Sequence, residues 1–242
     1  MFRVQDILHV HRTQAITDNL AVVLLKKKLK DQALSSAFAH AALEARQLHH
    51  ANILTVYDHL NDELREGSVI AWPSSFESVA QQLLHENKVQ GMPYPMVKSI
   101  LRQVTKALNH AHTQQKIHGG ITPHHIVSNA QCSKVGLWGF ALSLPLIKSD
   151  IGAATPWLGH NLRAYLSKPV LNGHAPQVED DIFSLGLVLY EMLTGQHPYD
   201  KQAANQCEKS TNQLSRPLSI NRCQWWLLKK QLRLKKFKSP AV

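Results

Sequence analysis

The stretch QKIHGGITPHHIV, residues 115–127, places an apolar residue before His118, then Gly119 and Gly120, then Pro123 and a short apolar run. That order reads as a turn leading into a strand. Upstream of it, Val97, Ile100, Leu101, Val104 and Leu108 recur at helical spacing between Tyr94 and His112, behind Pro93 and Pro95. The spacing predicts an amphipathic helix. Downstream, DDIFSLGLVLYEMLTG (180–195) is apolar nearly all round. It predicts a buried helix begun by Asp180 or Asp181 and ended by Gly195.

Further out, the first third is rich in strands. Residues 3–29 read as strands broken by a turn at TDN (17–19), 33–48 as a helix, and 51–60 and 68–72 as two more strands. Residues 117–142 return to short strands and turns, and the remainder is mainly helical. Pro and Ser punctuate the chain at WPSSFES (72–78), which predicts a boundary there.

A chain of 242 residues with 44% hydrophobic and 18% charged content can bury a substantial core, so wholesale disorder is excluded. Cys132, Cys207 and Cys223 form no CxxC pair, which argues against a disulfide scaffold or zinc ribbon and fits a reducing compartment. The polar N-terminus and the lack of an 18-residue apolar window predict a cytoplasmic protein. The net charge of +10 is clustered at Lys26, Lys27, Lys28 and Lys30, and again at Lys229, Lys230, Arg233, Lys235, Lys236 and Lys238. The first cluster reads as a solvated face. The second is a candidate contact surface for an acidic partner or anionic lipid, and nucleic acid is not an expected ligand. Trp226, Leu228 and Leu232 read as the core-facing side of a helix that carries this basic face.

Four segments in this order resemble the protein kinase family, most closely its bacterial Ser/Thr members. LEARQLHHANILTVYD resembles the join between the small-lobe helix and the next strand. IHGGITPHHIV stands where the family has its H-R-D-x-K-P-x-N loop, VGLWGFALSL (135–144) where it has D-F-G, and DDIFSLGLVLYEMLTG matches a family helix. The resemblance implies an α+β, two-lobed kinase-like fold in a single domain over 1–242. Its β-rich N-lobe would span 1–72 and its mainly helical C-lobe 73–242, with a basic tail at 233–242. RPLSINRCQWWLLKKQL (216–232) resembles the stretch before and within the penultimate family helix, so the C-lobe is expected to be truncated after it.

The same alignment implies unusual residues at the chemical positions. The first glycine is Gly67, so no glycine-rich phosphate loop precedes it. Val23 takes the place of the phosphate-binding Lys, with Lys26 as the alternative. Ala41 replaces the partner Glu, with Glu44 one turn away. Gly120 replaces the catalytic Asp, Thr122 the loop Lys, His125 the metal-binding Asn and Gly139 the Mg²⁺-binding Asp. Val170 stands at the Glu of the A/S-P-E word. Between Glu86 and Asp150 there is no Asp or Glu at all. His118, Phe140 and Asp181 match positions that carry the family's architecture.

Three readings follow. The first is a pseudokinase, not an enzyme and without cofactor, that works as a scaffold or allosteric module in signalling beside an active kinase or a kinase substrate. The second is a divergent ATP-dependent Ser/Thr protein kinase using Lys26 or Lys28 for phosphate and a carboxylate from Asp150 or Asp181. The third is a truncated relic domain. Fifteen histidines invite a metal site, but they fall on different elements and converging ligands are not expected. No G-x-S-x-G elbow supports hydrolysis.

Overall fold

A computed structural model describes residues 8–12, 20–25, 32–61, 66–85, 91–141, 159–204 and 213–232. Four strands form an antiparallel sheet: β1 (Leu8–Arg12), β2 (Leu20–Leu25), β3 (Val56–Asn61) and β4 (Glu66–Ala71), in the order β1-β2-β4-β3. Helix α1 (Gln32–Arg46) packs against β3, burying Phe38, Ala41, Ala42 and Ala45 along one face. This face has the helical spacing that drives such packing.

The strand expected over 51–60 starts only at Val56. Residues 52–54 instead bond across to the second sheet: Leu54 N–H donates to Leu137 O at 2.9 Å, and Leu137 N–H to Asn52 O at 2.8 Å. Asn52 Nδ2 adds bonds to Val135 O (2.9 Å) and Gln103 Oε1 (3.0 Å). This polar tie joins the first sheet to β5 (Glu77–Ser78), β6 (Ile126–Ser128) and β7 (Val135–Leu137), which form a three-stranded antiparallel sheet.

Helices fill the remainder: α2 (Val79–His85), α3 (Tyr94–Thr113), α4 (Gly159–Tyr165), α5 (Lys168–Leu171), α6 (Val178–Thr194) and α7 (Arg222–Leu232). Helix α3 buries Val97, Ile100, Val104, Ala107, Leu108 and Ala111, the periodic face seen in the sequence. Helix α6 starts earlier than expected. Gln177 is its N-cap, and Asp180 completes a capping box by accepting from Gln177 N–H at 2.7 Å. Asp181 therefore lies inside the first turn and its carboxylate is released from capping. Gly195 ends α6 in the left-handed region at φ 74°, donating its N–H to Glu191 O, a conformation that favours glycine.

Helix α7 buries Leu228 and Leu232 against α6, but Trp226 is 58% exposed. The expectation that Trp226 joins that core fails because it lies on the helix's outer side, where Lys230 Nζ sits 5.6 Å from its ring centre. No helix among the described residues is long and apolar enough to cross a membrane.

Candidate functional site

The site is organised by a buried carboxylate held by two backbone amides and one imidazole. Asp181 is 0% exposed. Its Oδ2 accepts from His118 N–H at 2.9 Å and from His112 Nε2 at 2.8 Å, and its Oδ1 accepts from Gly119 N–H at 2.8 Å. A carboxylate buried without such donors would be strongly disfavoured. Helix α6 thus holds the 118–120 turn through its peptide groups. Gly119 has φ 77°, which a residue with a Cβ adopts only at a cost.

His118 is itself completely buried. Its Nε2–H donates to Trp138 O at 2.9 Å, and its ring packs on Phe140 with centroids 4.8 Å apart. Burial lowers its pKa, opposing the nearby Asp181 charge, so the ring is neutral. Residues 118, 140 and 181 therefore form one contiguous unit.

The positions the resemblance assigns to chemistry meet on the next layer. Thr122 is buried, and both its N–H and its hydroxyl donate to His125 Nδ1, at 3.2 Å and 3.1 Å. The backbone donor fixes the tautomer, so the ring proton is on Nε2. The His125 ring packs edge-on against His118 (5.2 Å) and Trp138 (5.0 Å). Burial is the main cause holding its pKa well below the ordinary histidine value, with the neighbouring histidines adding to it. Gly139 has φ 91°, and a Cβ there would come within 2.7 Å of His125 Cδ2. His125 thus fills the space a side chain at 139 would take. Gly120 is buried and contributes only backbone.

These residues do not fit a Mg²⁺ ion. It takes hard oxygen ligands in octahedral geometry, whereas Gly139 and Gly120 have no side-chain donor and the Thr122 hydroxyl is committed to His125. Among the described residues no cluster of His, Cys, Asp or Glu is arranged to hold a metal.

The remaining expected positions are dispersed. Val23 lies in β2 opposite Ser68 of β4. Ala41 is buried on α1. Glu44, one turn later, pairs with Lys116 at the entry to the 118–120 turn, and the two line a cavity of about 410 Å³ with Ala41, Phe140 and Ala141. Val170 is buried in α5. Lys229 and Lys230 lie on α7 over Trp225 and Trp226. Lys26, Lys27, Lys28, Lys30, Asp150, Cys207, Arg233, Lys235, Lys236 and Lys238 lie outside the described residues.

A second buried polar group was missed in the sequence. Glu191 of α6 is 7% exposed. It accepts from the Tyr165 hydroxyl and from Lys201 Nζ, and Lys201 also reaches the Tyr165 oxygen. His197 packs against the Tyr165 ring at 4.9 Å, and burial together with the Lys201 charge lowers its pKa to about 3. An acid inside an otherwise apolar helix was the available signal. Lys116 had none, because its partner is 72 residues away.

Comparison with known proteins agrees with this geometry. Residues 11–239 match the protein kinase domain. The chain is 30% identical to the serine/threonine-protein kinase PrkC of Bacillus subtilis over 169 residues, covering 69% of this chain and 25% of that protein. It is 27% identical to the serine/threonine-protein kinase PknB of Mycobacterium leprae over 195 residues, covering 79% and 31%. It is 29% identical to the serine/threonine-protein kinase PLK2 of Mus musculus over 158 residues, covering 64% and 22%. The matched stretches thus amount to about a quarter to a third of these relatives' length. The expectations of a non-enzyme and of no cofactor are corrected by these matches. The relatives are kinases by name, and kinase chemistry draws on ATP and Mg²⁺.

Proposed function

Because the chain belongs to the protein kinase family, we propose that it transfers the terminal phosphoryl group of ATP to serine or threonine hydroxyls of a protein, using groups that diverge from the family's usual carboxylates. The observation that carries this reading is the match over 11–239, which includes the turn that Asp181 holds through His118 and Gly119. Phosphoryl transfer asks a protein mainly for positioning and for charge stabilisation, and a rigidly held turn supplies positioning.

Asp181 is not the base. It is fully buried and saturated by three donors, so no substrate hydroxyl reaches it. Asp150 remains as the candidate carboxylate, and Lys26 or Lys28 as the phosphate-binding cation. On this reading a single two-lobed domain, divided near residues 72–73, works in the cytoplasm in signalling. Its protein substrate is the partner, met in part by the basic surface that begins at Lys229 and Lys230.

The test uses the full chain with Mg²⁺, ATP labelled on its terminal phosphate and a panel of acidic and basic protein substrates. Label transfer is expected, and Asp150→Asn should reduce it roughly a hundredfold or more, the usual contribution of a general base. A wild-type chain that neither transfers label nor shows an ATP-dependent thermal shift overturns the proposal.

A further inference from the structure

We propose that the outer face of α7 docks on an anionic membrane surface, with Trp226 and Leu227 entering the headgroup layer and Arg222, Lys229 and Lys230 meeting lipid phosphates. This docking is independent of the kinase reading and concerns where the chain works. A protein substrate is then met at that surface.

Helix α7 has two apolar sides. Leu228 and Leu232 are buried against α6, with Trp225 half-buried beside them. Gln224 Nε2 donates to the Tyr94 hydroxyl of α3 at 2.8 Å. Those contacts account for the inner side. On the opposite side Cys223, Trp226, Leu227 and Lys230 follow one another at i, i+3, i+4 and i+7, so they form one stripe. All four are exposed, Trp226 by 58% and Leu227 by 49%. A helix that packs on one side carries polar residues on the other, and an indole beside a leucine departs from that rule. In the turn before the helix, Leu218 is 97% exposed.

Charge selects the occupant. Residues 209–242 carry nine Lys or Arg and no Asp or Glu, whereas residues 1–208 carry 18 basic and 17 acidic residues. Nearly all of the net charge of +10 thus belongs to α7 and the sequence beside it. Such a cluster is attracted to anionic lipid residue by residue. Lys229 Nζ lies 5.5 Å from the Trp225 ring centre and Lys230 Nζ 5.6 Å from that of Trp226. Each ammonium rides on the indole one turn back, and its long stem lets it reach a phosphate while the ring goes deeper. Lys230 shares a cavity of about 230 Å³ with Glu179 and Asp180 of α6. Asp180 is committed to Gln177 N–H and the Ser167 hydroxyl, so Glu179 marks the edge of the basic face.

An acidic protein is the rival occupant, and side-chain chemistry decides against it. Carboxylates are recognised with direction by arginine forks, whereas this face offers mainly flexible lysine ammoniums around an exposed indole. Trp suits the headgroup layer because its body is apolar and its N–H is polar. Trp and Leu in one stripe, bordered by Lys and Arg, have the composition of an interfacial helix.

The experiment sediments the full chain, without nucleotide, with vesicles of phosphatidylcholine alone or mixed with phosphatidylglycerol. Binding to the mixed vesicles is expected, falling steeply with added salt, and little to the neutral ones. Lys229→Gln and Lys230→Gln should each weaken it roughly fivefold, and Trp226→Gln roughly tenfold or more. Vesicles with brominated acyl chains add a readout of depth. They should quench tryptophan fluorescence in the wild type, and much of that quenching should vanish in Trp226→Phe, which keeps an apolar ring. Quenching unchanged in Trp226→Phe places the contact outside this face and overturns the proposal, as does equal binding to neutral and anionic vesicles. Capture of soluble polyglutamate with no vesicle binding assigns the face to an acidic protein and also overturns it. All these outcomes are read without ATP, so they leave the kinase reading untouched.

Discussion

Helix α6 and the loops it supports differ in charge inventory. The helix carries Glu179, Asp180, Asp181 and Glu191, and it buries Asp181 and Glu191 with every oxygen engaged. The loops from 114 to 141 carry no acid and present histidines, glycines and backbone amides instead. One region uses carboxylates to hold shape. The other receives that shape and fills it with neutral donors. A fold can thus keep its geometry through one set of acids while the groups facing a ligand change independently, because the Asp181 grip acts on peptide N–H groups that every residue except proline possesses.

The sharpest way to break this contrast is to remove the grip. Asp181→Ala leaves two amides and an imidazole without their acceptor, and should cost about 4 kcal/mol, as loss of one partner of a buried charged set does. Asp180→Ala, one residue away, loses a capping contact and should cost about 1 kcal/mol. Urea unfolding of both variants separates them. Equal losses would mean that Asp181 is an ordinary helix-terminal acid.

Next in size is the loop side. Gly139→Ala forces a Cβ to within 2.7 Å of His125 at φ 91°, and should cost about 2 kcal/mol from strain and overpacking. Combining it with His125→Asn should recover part of that loss in a double-mutant cycle. Additive losses would show that the two residues do not share one space.

The histidines predict an acid sensitivity of stated sign. His197 is depressed to about 3, and His118 and His125 are lowered by burial. Below the unfolded value of about 6.5 the unfolded chain binds protons that the folded chain refuses, so stability falls as pH drops. For His197 the loss runs from about pH 6.5 towards pH 3, at up to about 1.4 kcal/mol per pH unit. His197→Phe should flatten that slope in urea unfolding followed between pH 7 and pH 4. An unchanged slope would mean that Lys201 does not face a neutral ring.

The periodic helices and the order of the kinase-like segments were legible in sequence because burial imposes spacing. Val97, Ile100, Val104 and Leu108 of α3 are the plain case. Helix α2 was missed because seven residues are too few for a period to emerge. Within the site, the identities at 118, 120, 125, 139 and 181 could be read off, but not their arrangement. That His125 turns its ring into the space of Gly139 depends on the left-handed backbone at 139 and on two bonds from Thr122. Neither leaves a pattern in the chain. The inference from missing carboxylates to a non-enzyme went too far for a related reason: residue identities at aligned positions do not say which other groups the fold brings in.

The smallest expected effect concerns the link between α1 and the 118–120 turn. Glu44 and Lys116 pair there with side chains 30% and 29% exposed. Solvent screens a pair of this kind, so its contribution to stability should be about 0.5 kcal/mol and should shrink in high salt. Its position gives it another measurable role. Glu44 belongs to the helix that packs on the first sheet, whereas Lys116 lies two residues before His118, the first residue gripped by Asp181. A double-mutant cycle with Glu44→Gln and Lys116→Met, read both by unfolding and by ATP affinity, separates the two roles. A coupling in ATP affinity larger than the coupling in stability would show that the pair orients α1 against the loop. Equal small couplings would leave it a surface ion pair, and the contrast between a shape-holding helix α6 and a donor-rich loop would then need no contribution from α1.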